Sequence, residues 1–518
     1  MIEPLLDTGQ SALTASIGDG KGSMLSQLPT TSGIQIAVCI GLTALVGLAT
    51  WLTIRRAKHD GSKKDVFLAG GGLSWIFVAG AITLTNLSTD QLVGMNGNQM
   101  ALLAWWEICG FFGLLILAFV FVPIYYRNKC TTVTELLEKR YGGRSIRTLI
   151  SALFLFGNIL IYLPAVLYSG GTFMQALFGD QFSVLFFAGI LAVIASAYTI
   201  FGGLRAVAVM DTYSGVGILG LAMLIVVLAL AAVDWDITTG VPAERLTMIG
   251  GADSPIPFHT LFTGMIFIQI FYWSTNQNIT QRAMAAPTVR EAQKGVLAAA
   301  VIRILIVPPI VVIPGIVAYK LFGDVGDAAY GQLIAEVLPP WLSGAFAAMV
   351  AAAVITTFSA VLNSSVALYS VDFHEQFVGE VKDHWKLAAA VSILLTITSI
   401  MLVTVYIDAA SADPTDFSII NLLQQLNGLL SMPILSAFVA GLLFRNVDAP
   451  AAIGGVIWGV LLYGLFTFQL QPAGIITLHY IDFMVVTLVT SVIAALAVNR
   501  FILGNRAEFN FFWRSAEA

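Results

Sequence analysis

Charge is what this 518-residue chain has least of. Asp, Glu, Lys and Arg make up 11% of it, against about 25% in a soluble domain. Hydrophobic residues make up 58%, and the mean hydropathy is +0.87. So few charges cannot clothe a water-facing surface, which leaves a polytopic membrane protein. Cysteine is nearly absent: Cys39, Cys109 and Cys130 stand far apart, with no CxxC and no histidine beside them. Three unpaired thiols are expected, and no metal or disulfide frame. The chain has no basic patch interleaved with aromatics and no Gly-rich phosphate loop, so nucleic acid is excluded as a partner. The five histidines form no nucleophile–base set, His374 and His384 falling in one loop and His479 in another, and an enzyme is not expected. Residues 1–32 lack the basic start and adjoining apolar core of a signal peptide. They are expected to form an extracellular tail.

Apolar runs of helical length fall at 33–54, 73–97, 101–126, 146–177, 182–201, 205–233, 257–276, 295–322, 341–371, 386–408, 416–444, 450–470 and 475–499. The fold class predicted is therefore all-α, with thirteen transmembrane helices. Taking loops alternately, one side of the membrane collects every Lys and Arg except Lys21, Arg245, Arg303 and Lys320. By the positive-inside rule the N-terminus is outside and the C-terminus cytoplasmic, in the cell membrane. Two loop stretches read as short surface helices: TTVTELLEKRYGG (131–143), capped by Thr134, and PTVREAQKG (287–295).

Two of the apolar runs are interrupted. TLTNLSTDQ (83–91) places a cluster of polar side chains and the ionisable Asp90 at mid-depth, where an acid costs roughly 2.5–3.5 kcal/mol. In the run 257–276, YWSTNQNITQR follows LFTGMIFIQIF. Polar interruptions of this kind line a cavity or a binding site, and a matched pair points to inverted repeats with the site at the midplane. Five runs begin at 73 and five more at 257. The organisation expected is a preceding helix at 33–54, a first repeat at 73–233, a second at 257–444, two additional helices at 450–499 and a cytoplasmic tail at 500–518. In AAAVITTFSAVLNSS (351–365), Ala353, Thr356 and Thr357 share one helix face. Two hydroxyls beside a freed carbonyl suit a dehydrated monovalent cation, although buried Thr hydroxyls also bond back to the preceding turn.

FLAGG (67–71), TNLSTDQLVGM (85–95), GGLRAVAVMD (202–211), FYWSTNQNITQR (271–282), EAQKG (291–295) and AAAVITTFSAVLNSS together resemble the solute:sodium symporter family, nearest the sodium/glucose and sodium/galactose cotransporters. The likeness covers about residues 33–470. It implies a ten-helix (5+5) inverted-repeat core of the leucine-transporter type and a sodium-coupled symporter of a small polar solute, with sugar or polyol favoured. It implies a sodium site from Leu84, Leu87, Ala353, Thr356 and Thr357, with Asp211 and Ser359 as parts of a possible second one. Gln91, Glu107, Gln269, Tyr272, Arg303 and Gln424 would contact the solute. Met95, Trp106, Tyr272 and Ile420 would gate it. The chain departs from the family at Tyr162, where an Asn is usual, at Gly110 and Ala360 for Ser, at Arg303 for Lys and at Gln269 for Asn. An anionic or amino-acid-like solute is the alternative, favoured by Arg303 and Tyr162. Arg303 and Glu107 also read as a mutually neutralising structural pair. A transporter-like membrane sensor is a further alternative, against which only residues 500–518 follow the last run. Partners expected are the solute and the bilayer, the chain being a monomer or a homodimer.

Overall fold

The computed structural model describes residues 33–54, 67–87, 89–179, 181–412 and 419–510, and leaves aside the side chains of Asp90, Ala412 and Asn421. The tail 1–32, Ser88 and the Asp90 carboxylate therefore lie outside the described residues, as do 511–518. Nearly everything described is helical: α1 Gly33–Ile54, α2 Trp75–Asn86, α3 Thr89–Gly97, α4 Trp105–Ile116, α5 Val133–Tyr141, α6 Arg144–Gly157, α7 Leu163–Phe178, α8 Val184–Ala232, α9 Gly264–Ile270, α10 Gln277–Met284, α11 Val289–Leu305, α12 Val307–Phe322, α13 Ala329–Val337, α14 Pro340–Ala367, α15 His384–Ala412, α16 Ile419–Leu443, α17 Ala449–Leu465 and α18 Tyr480–Ala497. Two-residue strands, Phe444–Arg445 and Glu508–Phe509, pair antiparallel.

Among the described residues, ten helices, counted across their π turns, are long and apolar enough to cross a membrane. The other expected spans fall where the helix is bent or broken. The runs at 182–201 and 205–233 are both in α8, 49 residues long and bent at Gly203, whose φ of 54° and ψ of −158° no helix contains. Glycine is the residue that reaches such a conformation without strain. The run 73–97 splits into α2 and α3, and 257–276 becomes a 3₁₀ turn, α9 and a π turn.

α14 is the central helix. Every described residue from Ser343 to Ala367 on it is buried, and α8, α1, α2, α7 and α15 pack around it. It is hydrophobic all round because it meets protein on every side, as a core helix must.

Local chemistry corrects two expectations. The helix in 131–143 starts after Thr132, not at Thr134: Glu135 takes the N–H groups of Thr131 (2.5 Å) and Thr132 (3.4 Å) in a capping box. The stretch 287–295 is no separate surface piece. Thr288 caps it by accepting from the Glu291 N–H, and it runs on as the first turns of α11. Arg282, expected in a cytoplasmic loop, is fully buried in α10. The three cysteines are free, and burial pushes the loop thiol of Cys130 up to about 12.

Pro314 lies inside α12, where it lacks an N–H and frees the carbonyl of Ile310 one turn back. Asn96 at the end of α3 repairs the break. Its amide donates to Ile310 O (3.2 Å), and its Oδ1 accepts from Gly315 N (2.8 Å). Gly315 is needed because a Cβ there would strike the Asn96 backbone. Asn96→Leu strands both groups, so it is expected to lower stability by about 1–3 kcal/mol per orphan. Thermal unfolding of the purified protein in detergent measures that loss.

Candidate functional site

The first break is sharp. α2 ends at Asn86, and Leu87 (φ −79°, ψ 74°) leaves the helix while its N–H still reaches Thr83 O at 3.0 Å. A helix that ends inside a membrane protein leaves its last carbonyls without intrahelical donors. Leu84 and Leu87 are fully buried at this end. Asn86 donates to the Tyr272 hydroxyl (2.9 Å), joining the first broken helix to the second. That second break is the π turn Phe271–Thr275, closed by Asn276, whose side chain caps α10 through the Asn278 N–H (2.9 Å).

Between the two breaks and α14 lies a cavity of about 90 Å³. Thr85 and Asn86 from the first break, Tyr272 and Trp273 from the second, and Thr357 from α14 all face it. Gln91, Glu107, Gln269 and Gln424 line it too, as do Met95, Trp106 and Ile420. Of the expected solute-contacting and gating residues, only Arg303 stands behind the wall. Ile420 comes against α3 at Gly94, where a Cβ would lie 2.9 Å from it.

On α14 the two threonines differ. The Thr356 hydroxyl donates to Ala353 O at 3.2 Å, as buried Thr often does. The Thr357 hydroxyl is buried with no hydrogen-bond partner among the described residues. Ser359 is turned away, its hydroxyl donating to Ala195 O on α8 (2.9 Å). Asp211, also on α8, is fully buried beside the Thr356 side chain, and Arg282 Nη2 stands 3.8 Å off.

Among the described residues one charge lines the cavity, and it is paired. Glu107 on α4 binds Arg303 on α11, both side chains being 1% exposed. Gln91 completes the triad, donating to Glu107 (2.9 Å) and accepting from Arg303 (3.4 Å). Arg303 also lies over the Trp273 ring, 4.7 Å from its centre. Gln269 is engaged at both ends of its amide: it donates to Trp106 O (3.0 Å) and accepts from Trp273 Nε1 (2.9 Å).

Sequence reasoning missed Asn427, Asn278 and Trp273 in this wall. Asn427 lies one turn beyond Gln424 on α16 and accepts from Tyr162 (2.6 Å). Its helical spacing from Gln424 was the available signal. Trp273 and Asn278 sit within the interrupted stretch, whose polar residues do not announce which ones face inward.

A buried cavity framed by two broken helices and a hydroxyl-bearing core helix is the arrangement of a secondary transporter's binding site. The sodium:solute symporter family profile matches residues 66–459, and the chain belongs to that family. It is 31% identical over 504 residues to the uncharacterized symporter YidK of Escherichia coli (strain K12), covering 93% of this chain and 86% of that one. It is 27% identical to the sodium/glucose cotransporter of Vibrio parahaemolyticus (89% of each chain). It is also 27% identical to sodium/myo-inositol cotransporter 2 of Mus musculus (88% and 75%). The fold matches a sodium-coupled sialic acid symporter in its substrate-bound outward-open state, with a TM-score of 0.77 over 92% of this chain and 99% of that one at 19% identity. The protein is thus a sodium-coupled symporter of the leucine-transporter fold, a multi-pass protein of the cell membrane, and not an enzyme.

Proposed function

We propose that this symporter imports a neutral polyhydroxylated solute, a sugar or cyclic polyol, with one sodium ion. The observation that carries the reading is the closed charge balance of the cavity. Among the described residues Glu107 is the one charged group in its wall, and Arg303 and Gln91 satisfy it. An anionic solute would have to take Arg303 from Glu107 and leave that carboxylate buried and unpaired, which is strongly unfavourable. What faces the solute instead is amides, hydroxyls and aromatic rings: Gln424, Asn427, Asn86, Thr85, Tyr272 and Trp106. Amides and hydroxyls exchange several hydrogen bonds with a polyol, and a ring covers its apolar face. The relatives named for glucose and myo-inositol agree with this class.

In this reading sodium is held by the carbonyls of Leu84, Leu87 and Ala353 and the hydroxyls of Thr356 and Thr357. The orphaned Thr357 oxygen is the group that most plainly lacks a partner without it. Ser359 and Asp211, which bond to or pair with other groups, are left out of this site. The ion bridges the end of α2 to α14 and favours the state whose cavity is open outward, and this differential affinity is what couples it to the solute. Entry of one sodium at 100 mV contributes about 2.3 kcal/mol, enough for roughly fifty-fold accumulation. Gln91, Gln424 and Tyr272 contact the solute, while Gln269 and Arg303 hold the wall behind them. Met95, Trp106 and Ile420 close the outer side, with the N-terminus outside, and residues 73–233 and 257–444 are the two repeats.

Competition for sodium-driven uptake in proteoliposomes tests the solute class. Hexoses or inositols are expected to inhibit, and carboxylates of the same size are not. Inhibition by carboxylates alone sinks the neutral-solute reading.

A further inference from the structure

α1 is tied down near both ends. At its start Gln35 donates to Ser343 on α14 (3.1 Å) and to Leu177 O on α7 (3.4 Å). Gly344 makes room for the Gln35 backbone, which a Cβ there would strike. Toward its other end Thr53 shares a hydrogen bond with Tyr213 of α8 (2.8 Å). Gly47 lets the Tyr198 hydroxyl approach α1, since a Cβ at that glycine would lie 2.9 Å from it. Between these ties lies a second cavity, of about 630 Å³, walled by α1, α7 and the first part of α8 and floored by α14.

Ile36, Ile40, Ala44 and Gly47 recur at helical spacing, so a single stripe of α1 lines this space. Their side chains shrink along the stripe, from Ile to Ala to Gly, and that is what opens it. Phe186, Ile190, Ile194 and Tyr198 form the facing stripe of α8. Among the described residues no charged side chain lines the cavity. Ile36, Ile40, Phe186 and Ile190 are exposed on helices long and apolar enough to cross a membrane, so the mouth opens on hydrocarbon. Ala351 and Ile355, on the floor, are buried. Ile355 adjoins Thr356, which makes the floor the reverse side of the helix that carries the hydroxyl pair.

We propose that this cavity is a binding site for one acyl chain of a phospholipid, whose head group lies at the Gln181 end, between α7 and α8. The length fits. From Ile36 to Gly47 the stripe runs about 16 Å at 1.5 Å per residue. That is roughly half of a hydrocarbon core about 30 Å thick, the reach of one chain in one leaflet. The volume falls within the roughly 300–1,000 Å³ of sites that enclose a small molecule. Apolar cavities stay dry and take up apolar molecules, and an empty one would leave its lining without dispersion partners on one side. A water-soluble ligand would find no ion to pair with here, whereas acyl chains of the bilayer stand at the mouth. The bound chain packs behind the hydroxyl pair and holds α1 and α8 against α14.

Delipidated full-length protein in detergent, held in potassium without solute, can be titrated with palmitoyl-oleoyl phosphatidylcholine while its Tm is followed. The Tm should rise and then saturate. Ala44→Phe puts a ring on the stripe that lines the cavity and should raise the lipid concentration for half the rise by about tenfold. Leu45→Phe, at an exposed position of α1 outside the cavity, should leave it unchanged. Equal titrations in all three proteins would mean that lipid only coats the outer surface, and would overturn the proposal. A changed oligomeric state in Ala44→Phe with an unaltered lipid response would overturn it too, by making this face a contact between copies. A phosphatidylcholine with a photoreactive diazirine at its chain end locates the chain without any variant. In vesicles of the parent protein it should label the peptide holding Ala351 and Ile355, which are buried from lipid outside the cavity. Labelling confined to exposed positions such as Leu45 and Met401 would refute the site. Neither sodium nor solute enters these readouts, so an error in the ion site or the substrate class would leave them untouched.

Discussion

Glu107→Ala is expected to destabilise the protein by about 3–5 kcal/mol, the cost of leaving one member of a buried ion pair alone. Arg303 is 1% exposed and has no second carboxylate in contact among the described residues. Its remaining partners are the Gln91 and Thr83 oxygens at 3.4 Å and the Trp273 face. Gln91, which now donates to Glu107, loses its acceptor in the same step. Two walls of the cavity, α3 and α4, are tied to α11 behind them through this triad, so uptake should fall with stability. Glu107→Gln keeps the shape and one acceptor oxygen and should lose less. Replacing both partners, Glu107→Gln with Arg303→Met, should recover most of the stability, because no charge is then stranded. Thermal unfolding of the parent, these three variants and Arg303→Met alone, in one detergent at one pH, decides it. Additive losses in the double variant would show that the two side chains act independently.

Thr357→Ala is expected to raise the sodium concentration needed for half-maximal uptake by at least about tenfold, or roughly 1.4 kcal/mol of ion binding. Its hydroxyl is buried without a partner among the described residues and faces the cavity, so its removal costs little when sodium is absent. Thermal stability in potassium should therefore stay close to that of the parent, while the extra stabilisation by sodium shrinks. Thr357→Ser restores the oxygen and should restore the response. Thr356→Ala should weaken sodium as well, but it also removes the hydrogen bond to Ala353 O, so part of its effect should appear in potassium. Full sodium-dependent stabilisation in both alanine variants would mean that the ion binds elsewhere.

The apolar runs, their breaks and the amphipathic loop helix were legible because each depends on side chains within a turn or two of one another. Hydropathy alone placed the interruptions near Leu87 and Thr275. The bend at Gly203 was read instead as a loop between two spans, 182–201 and 205–233, where one 49-residue helix runs through, while the hydroxyl pair on α14 was visible from its spacing. Arg282 was misread for a physical reason. Beside Ala, Met and a Pro-containing loop it looks like any interfacial cation, and only the folded arrangement, with α10 packed on α2 and α14, brings Asp211, 71 positions away, to within 3.8 Å. Thr132 and Thr134 are equally good caps by composition, and the Asp372 carboxylate, 238 positions from Thr134, takes up the second.

By itself the sequence determined that this chain crosses a membrane many times, that two of its spans are broken where a site can form, and that hydroxyls stand on the helix between them. These follow from hydrophobicity and helical period, which act locally. The tertiary structure alone decided which polar groups spend their capacity on one another. Glu107 is matched to Arg303, Gln269 to the Trp106 carbonyl, Asn96 to the gap left by Pro314, and Arg147 to Asp372. Such pairings join residues tens to hundreds of positions apart, and their energy is realised only once the helices are packed and water has been excluded. Among the described residues the Thr357 hydroxyl, beside the cavity, is one of those such pairing leaves without a partner.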